Sequence, residues 1–457
     1  MRVLCFFICC FALVLKAQGQ ISNDIHSLRY QDDFSHLRKD SILSPYQQMK
    51  FLALSKNKQT YLSFGGDIRY QYYNVTNENW GDIPNDRDGY ALSRFLTHFD
   101  FHAGNNFRFF FQLQSSNANS RIDADPVENN PLDVHQAFFD LQILNRAENH
   151  LLFRFGRQEM RYGSQRLVSV RELPNSRRAF DGAKLIFKDQ YLAMDLFYTH
   201  PVHNNEGIFD DEFNDKSEFW GSYNTVKNIP FFQNVDLYYL AIRNKHAVFD
   251  DAIGEEMRHS LGTRLWNHDG NFLYDIEGVY QFGTLGSSKI KAWTVSASLS
   301  KELENMKFSP VLGLKTEVIS GNRHYGDTAL ETFNPMFPMG AYFGLAALIG
   351  PANLFDFHPS IDLELTPKLS FAFDYDLFWR FSKNDGIYSV NVQLIYTGKE
   401  TQDKFIGSQY TCEFKYSPTE LLTLKLEGTW FDSGGFIKES GAGKDTLIGG
   451  ITAQFKF

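Results

Sequence analysis

The chain has 457 residues and a formal charge of −9, with 45 Lys and Arg against 54 Asp and Glu. That balance leaves no basic surplus for gripping a nucleic-acid backbone and excludes nucleic acid as a partner. Three of the four cysteines (Cys5, Cys9, Cys10) fall in the first ten residues, which leaves Cys412 alone and excludes a disulfide framework.

Residues 1–19 read as a secretory signal peptide. Arg2 precedes an apolar run over 3–15, and Ala17, Gln18 and Gly19 form the small-residue pattern before polar sequence. Its removal takes away Arg2 and Lys16, so the charge moves from −9 to −11. Residues 20–58 are polar, with scattered Phe34, Leu37, Tyr46 and Phe51 and no alternation. They read as a periplasmic N-terminal arm with a short helix near 45–54, or else as a small plug tucked into a pore.

From Thr60 onward, apolar and polar residues alternate with period two, the signature of strands with one apolar face. Eighteen strands are expected: 60–74, 90–103, 106–116, 134–144, 150–158, 180–188, 190–199, 217–226, 232–243, 256–267, 270–282, 289–300, 307–319, 357–366, 368–381, 407–416, 419–431 and 446–457. Phe371, Phe373, Tyr375, Leu377 and Trp379 share one face, and Asp374, Asp376 and Arg380 the other. Ile451, Ala453 and Phe455 likewise oppose Thr452, Gln454 and Lys456. No later run of 18 apolar residues occurs, and no linker divides the chain. An exported chain with 44 Phe and 22 Tyr and this pattern fits a single transmembrane antiparallel β-barrel, all-β, over residues 59–457.

Connection lengths agree. Even-numbered strands end in short turns (104–106, 188–190, 268–270, 366–368, 417–419), and long connections follow odd-numbered ones (75–89, 117–133, 159–179, 200–216, 320–356, 382–406, 432–445). Such barrels keep short turns periplasmic and long loops extracellular. Residues 387–397 alternate but break this parity, so they belong to an outer loop as a local hairpin. The connection 320–356 is rich in Phe, Met, Pro and Gly and is expected to fold over or into the mouth.

The polar faces then line a lumen. Arg69, Arg94, Arg108, Arg154 and Lys184 form one wall with Asp67, Asp100 and Asp140, and Arg258 and Arg264 extend it. Asp275, Glu277, Asp362, Glu364, Asp374 and Asp376 form an acidic wall opposite. Between the strands near 151 and 187 lies a cationic insert with Arg157, Arg161, Arg166, Arg171, Arg177 and Arg178 against only Glu159 and Glu172. We read it as a basic constriction, with Gly156 and Gly163 allowing tight bends. The substrate path is expected along Arg69, Arg94, Arg108, Arg154, Arg157, Arg161, Arg166, Lys184, Arg258, Arg264 and Arg380.

Enzyme motifs are lacking: no Gly-x-Ser-x-Gly, no phosphate-cradling glycine loop and no His-Glu-x-x-His. No catalytic residue, cofactor or metal is therefore assigned. His98 and His102 share a face, for which a pore-lining role outweighs metal binding. The acidic run Glu206, Asp210, Asp211, Glu212, Asp215 and Glu218 offers calcium-type ligands, but a solvated loop or contact with lipopolysaccharide is the preferred reading.

Three stretches resemble the alginate export family of outer-membrane proteins. They are FGRQEMRYGSQR (155–166) with RRAFDGA (177–183); TFNPMFP (332–338) with YFG (342–344), LIGPANL (348–354) and His358-Pro359; and LTPKL (365–369) with FWR (378–380) and DGIY (385–388). The resemblance covers about 61–457. It implies an eighteen-stranded barrel in the bacterial outer membrane, with an electropositive pore passing an anionic, alginate-like polysaccharide outward. Arg154, Arg157, Arg161 and Arg166 would stand at its constriction. Partners would be outer-membrane lipid and lipopolysaccharide, an anionic glycan or small anion, and periplasmic export proteins. The alternative is a general diffusion porin for small anions or oligosaccharides.

Overall fold

The computed structural model describes residues 25–457 except 87 and 147. The expected signal peptide lies outside the described residues. Eighteen strands form the barrel: β1 (Thr60–Thr76), β2 (Tyr90–Ala103), β3 (Phe107–Asn119), β4 (Asn130–Asn145), β5 (His150–Gln158), β6 (Phe180–Lys188), β7 (Leu192–His203), β8 (Ser217–Lys227) and β9 (Asn234–Val248). Then come β10 (Ile253–Trp266), β11 (Phe272–Leu285), β12 (Ser288–Glu302), β13 (Val311–Ile319), β14 (Leu354–Thr366), β15 (Leu369–Arg380), β16 (Phe405–Thr419), β17 (Leu422–Ser433) and β18 (Thr446–Lys456). Each pairs antiparallel with its neighbours in sequence, and β1 pairs with β18 in a register running from Asp67↔Lys456 to Thr76↔Leu447. Closure removes every barrel edge, so the backbone is satisfied without water. All eighteen expected strands are present.

Period two fixes the two faces. On β1, Phe64, Tyr70 and Tyr72 are exposed outward while Asp67, Arg69 and Gln71 are buried inward. On β18, Ile451 is exposed and Thr452 buried. On β15, Phe371 packs on Phe414 of β16 at 4.8 Å between ring centres, whereas Asp376 points inward onto Gln409. Outward apolar rings suit lipid, and inward polar groups find partners only in the lumen.

Residues 387–397 form the local hairpin, Ile387–Tyr388 against Leu394–Tyr396. Two connections after odd strands are short, at 249–252 and 286–287. At the second, Gly286 takes φ +54.

The lumen is filled from both ends. From the outer end, the connections 159–179 and 320–353 fold inward and bury Met160, Leu167, Val168, Phe333, Met336, Phe337 and Phe343 in one apolar cluster. This meets the expectation for the second connection: its Phe333, Met336, Phe337 and Phe343 leave water together. From the other end comes the arm. Its helix α1 (Pro45–Lys50) begins at Ser44, which accepts from Gln47 N while Gln47 Oε1 accepts from Ser44 N, a reciprocal cap. Arg29 donates to the Gly66 and Phe457 backbone oxygens. Tyr30 packs edge-on against Phe110 and Phe138. Residues 29 and 30 thus contact inward-facing parts of β1, β3, β4 and the chain end.

Candidate substrate path

The connection 159–179 leaves β5 through Gly156, whose φ of +130 and whose space forbid a side chain: a Cβ there would lie 2.2 Å from the Ala137 carbonyl oxygen. Side chains then staple it to opposite walls. Arg166 donates to Glu317 of β13 at 2.7 Å and to Glu277 of β11 at 3.0 Å, and lies 3.3 Å from Asp275. Glu172 receives Arg94 of β2 at 2.5 Å, and its backbone oxygen accepts from Arg69 of β1 at 2.6 Å. Asn175 donates to the carbonyls of Ser93, Asn117 and Glu128. The second inward connection joins it through Phe337 N to Leu167 O and Met339 N to Gln165 O. The two loops together cross the lumen.

Most of the expected path residues are neutralised, mainly by acids from other strands, with Glu256 of the same strand serving Arg258 and Glu172 of the inward connection serving Arg69 and Arg94. Arg154 and Asp140 stand directly opposite on β5 and β4 and form two hydrogen bonds of 2.7 and 2.8 Å. Arg157 grips Asp181 of β6 at 2.9 and 3.0 Å. Arg108 holds Asp100 at 2.7 Å, and Lys184 holds Asp195 at 3.0 Å. Arg258 pairs with Glu256 at 2.6 Å, and Arg264 with Asp236 and Asp275 at 2.9 and 2.7 Å. Arg69 and Arg94 share Glu172. Arg380 is buried against the carbonyls of Asp403, Lys383 and Thr401, with its guanidinium 4.0 Å from the Phe436 ring centre. Arg154 also lies 3.9 Å from the Phe138 ring centre and 4.3 Å from that of Tyr30. The scarcity of acids within the insert is thus offset across the barrel.

Apart from Arg380, whose partners are backbone carbonyls, the exceptions are in the inward connection. Among the described residues, Arg161, Arg171 and Arg178 have no carboxylate within ion-pair distance. Arg161 donates to Ser27 Oγ. Arg171 donates to Ser176 O and Asn204 Oδ1, each at 3.3 Å. Half-buried Arg178 lies over the Phe337 ring at 5.2 Å. Burial lowers Arg171 to about 10, and burial together with the charge of Arg171 pushes Arg178 well below the usual arginine range. Guanidinium groups keep their proton at neutral pH; the charges of Asp125 and Asp211 oppose Arg171 from beyond ion-pair distance. Arg171 and Arg178 belong to the insert that composition singled out, but their lack of partners has no local signal.

Water reaches the lumen on one side. Inward Lys315, Asp362, Glu364 and Lys415 are exposed, and Asp374, Glu413 and Lys425 are half-buried. These belong to the periplasmic halves of β13–β17. His98 and His102 do not meet on a common ligand: His98 is buried beside Lys50, and His102 lies 3.0 Å from Asp100.

A family model described as alginate export matches residues 60–448. No curated protein matches the chain. Among solved structures, Pseudomonas aeruginosa OccK3 (OpdO) is 12% identical with a TM-score of 0.57, covering 86% of this chain and 95% of that one. P. aeruginosa OccK2 (OpdF), solved in complex with glucuronate, is 11% identical with a TM-score of 0.54, covering 87% and 96%. P. aeruginosa OpdK with vanillate is 10% identical with a TM-score of 0.55, covering 87% and 98%. These likenesses bear on the fold.

Proposed function

The chain belongs to the alginate export family of bacterial outer-membrane β-barrels, and from that premise we propose that it is a channel passing an anionic polysaccharide, alginate-like, or a related carboxylated solute. One observation carries the reading. Among the described residues, Arg171 and Arg178 sit close together on the lumen-crossing connection with no carboxylate within ion-pair distance, and only the more distant charges of Asp125 and Asp211 oppose Arg171. A guanidinium in a partly desolvated constriction takes a carboxylate as a two-pronged partner, and passage needs such contacts to be favourable but loose. Arg161 extends the same connection toward the periplasmic side, where it meets Ser27 of the arm. The paired residues Arg69, Arg94, Arg108, Arg154, Arg157, Arg166, Lys184, Arg258 and Arg264 hold the walls and the loop in place around this path and set its field.

A second reading, a diffusion porin for small anions or oligosaccharides, draws on the filling of the lumen from both ends. A narrow bore favours a short acid, and the glucuronate bound to OccK2 is of that size. Planar-bilayer currents separate the readings. We expect an anion-selective wild-type channel whose current is blocked by oligouronates and not by neutral oligosaccharides of equal length. Block that deepens with uronate chain length supports the polysaccharide; equal block by monomer and oligomer supports the small-anion porin. Cation selectivity in the wild type would remove both.

A further inference from the structure

Three arginines converge on one carboxylate of the crossing loop. Glu172 Oε1 receives Arg94 Nη2 at 2.5 Å and lies 4.0 Å from Arg69 Nη1, and Glu172 Oε2 lies 3.2 Å from Arg177 Nε. The three arginine side chains are 4% exposed or less, yet that of Glu172 is 47% exposed. The pocket is therefore walled by buried cations and open to water on the side from which Glu172 enters.

Two further acids belong to the pocket, and both are buried. Asp67 of β1 stands 3.4 Å from Arg94, and Glu159 stands 2.9 Å from Arg177. With Glu172 in place, three arginines face three carboxylates; without it, one buried cation is left over, which is costly. Donors are spare as well: Nε of Arg69 and Nε of Arg94 are buried with no hydrogen-bond partner. The Glu172 carboxylate is not what pins its own backbone. The Glu172 carbonyl oxygen accepts from Arg69 at 2.6 Å and from Arg94 at 3.2 Å, and Pro174 O accepts from Arg69 at 3.0 Å. A change of rotamer turns the carboxylate out to water while these contacts hold the loop.

We propose that Glu172 is an internal stand-in, and that Arg69, Arg94 and Arg177 form a site for the carboxylate of a sugar acid. Such a site rests on the reading of the lumen as a path for carboxylated solutes, and gives that path a resting place governed by one residue. The solute carboxylate replaces that of Glu172 one for one, so the exchange leaves the buried charge unchanged. Guanidinium forks receive either carboxylate in the same way. The sugar ring stays on the open side. Competition from Glu172 keeps the solute loosely held, as passage requires.

Isothermal titration of sodium galacturonate into the full chain, folded in detergent, tests this. Glu172→Ala vacates the site and should bind one galacturonate per chain at least tenfold more tightly than wild type, and galactose not at all. Glu172→Gln keeps the shape of the side chain without its charge and should gain in the same direction. Adding Arg94→Gln to Glu172→Ala should abolish the gain. Asp374→Asn removes a lumen acid of β15 held by His358 and should bind as wild type. Equal affinity of wild type and both Glu172 variants overturns the site. So does an equal gain in Asp374→Asn, which would mean a diffuse field, or a gain that survives Arg94→Gln. Bilayer selectivity is read separately. An anion-selective wild type with no gain in the Glu172 variants removes the stand-in and leaves the channel reading; a cation-selective wild type with the gain present removes the channel reading and leaves the site.

Discussion

Arg154 and Arg171 are two arginines in the same lumen with opposite consequences. Arg154 is buried against Asp140, and removing one partner of a buried pair leaves an uncompensated charge worth about 3–5 kcal/mol. Arg171 has no carboxylate partner, so its removal leaves no charge stranded. Arg154→Ser should therefore lower the urea midpoint of unfolding from lipid vesicles by the equivalent of about 3–5 kcal/mol. Arg171→Ser should stay within about 1 kcal/mol of wild type, losing only weak hydrogen bonds. Equal destabilisation by the two would mean that Asp125 and Asp211 hold Arg171 as firmly as Asp140 holds Arg154. In the arm, Lys50 is fully buried, donates to Phe64 O at 2.9 Å, and faces Arg29, Asp32 and His98. Burial, with Arg29 adding and Asp32 opposing, brings its pKa down to about 7. Between about 7 and the ordinary lysine value, the docked arm thus binds fewer protons than a released one. Docking should tighten as pH rises through that window and be weakest at and below 7. Openings of the arm, seen as steps in single-channel current, should become rarer from pH 7 to pH 10, and Lys50→Met should flatten the dependence.

Strands and connections answer to different rules, which is why one kind was legible in the sequence and the other was not. Period two is written locally: Phe371, Phe373 and Tyr375 declare a face without reference to any other strand. The facing predicts that Phe373→Arg, on the lipid side, costs about 2–4 kcal/mol of folding into bilayers, while Asp374→Arg, in the lumen beside His358, is tolerated; urea titration in vesicles compares them. The inward fold of 320–353 was legible too, because its apolar residues have nowhere else to go. The neutralisation of the arginines was not, because nearly every partner belongs to another element; Arg258, held by Glu256 of its own strand, is the exception. Even so, strand register held part of it, since Arg154 stands opposite Asp140 and Arg157 opposite Asp181. Glu172, a residue of no pattern, turned out to join Arg69, Arg94 and Arg177. The loop also sets the bore. Tyr342 donates to Glu317 and the Phe343 carbonyl accepts from Gln409, which stretches this connection across the barrel. Replacing residues 339–348 by an equal number of Gly and Ser should raise single-channel conductance, and an unchanged value would show that the bore is set elsewhere.

At the scale of the whole barrel, the formal charge is negative, yet selectivity depends on which charges face the narrowest water. Pairing removes most strand arginines from that account. Two contrasting sets are the cations Arg171 and Arg178 on the crossing loop, and the exposed acids Asp362 and Glu364 on the wet periplasmic side of β14, where Lys315 and Lys415 are exposed as well. They differ in screening. Exposed charges act through about 10 Å of solution at 0.1 M salt and about 3 Å at 1 M, whereas partly buried ones are screened much less. Changing Arg171 and Arg178 together to Ser should move reversal potentials toward cations both at 0.1 M and at 1 M potassium chloride. Changing Asp362 to Asn with Glu364 to Gln should move them the other way, toward anions, at 0.1 M, and that shift should vanish at 1 M. If both pairs lose their effect alike at 1 M, the loop arginines are as solvated as the vestibule acids. The constriction must then be sought among the paired strand residues instead.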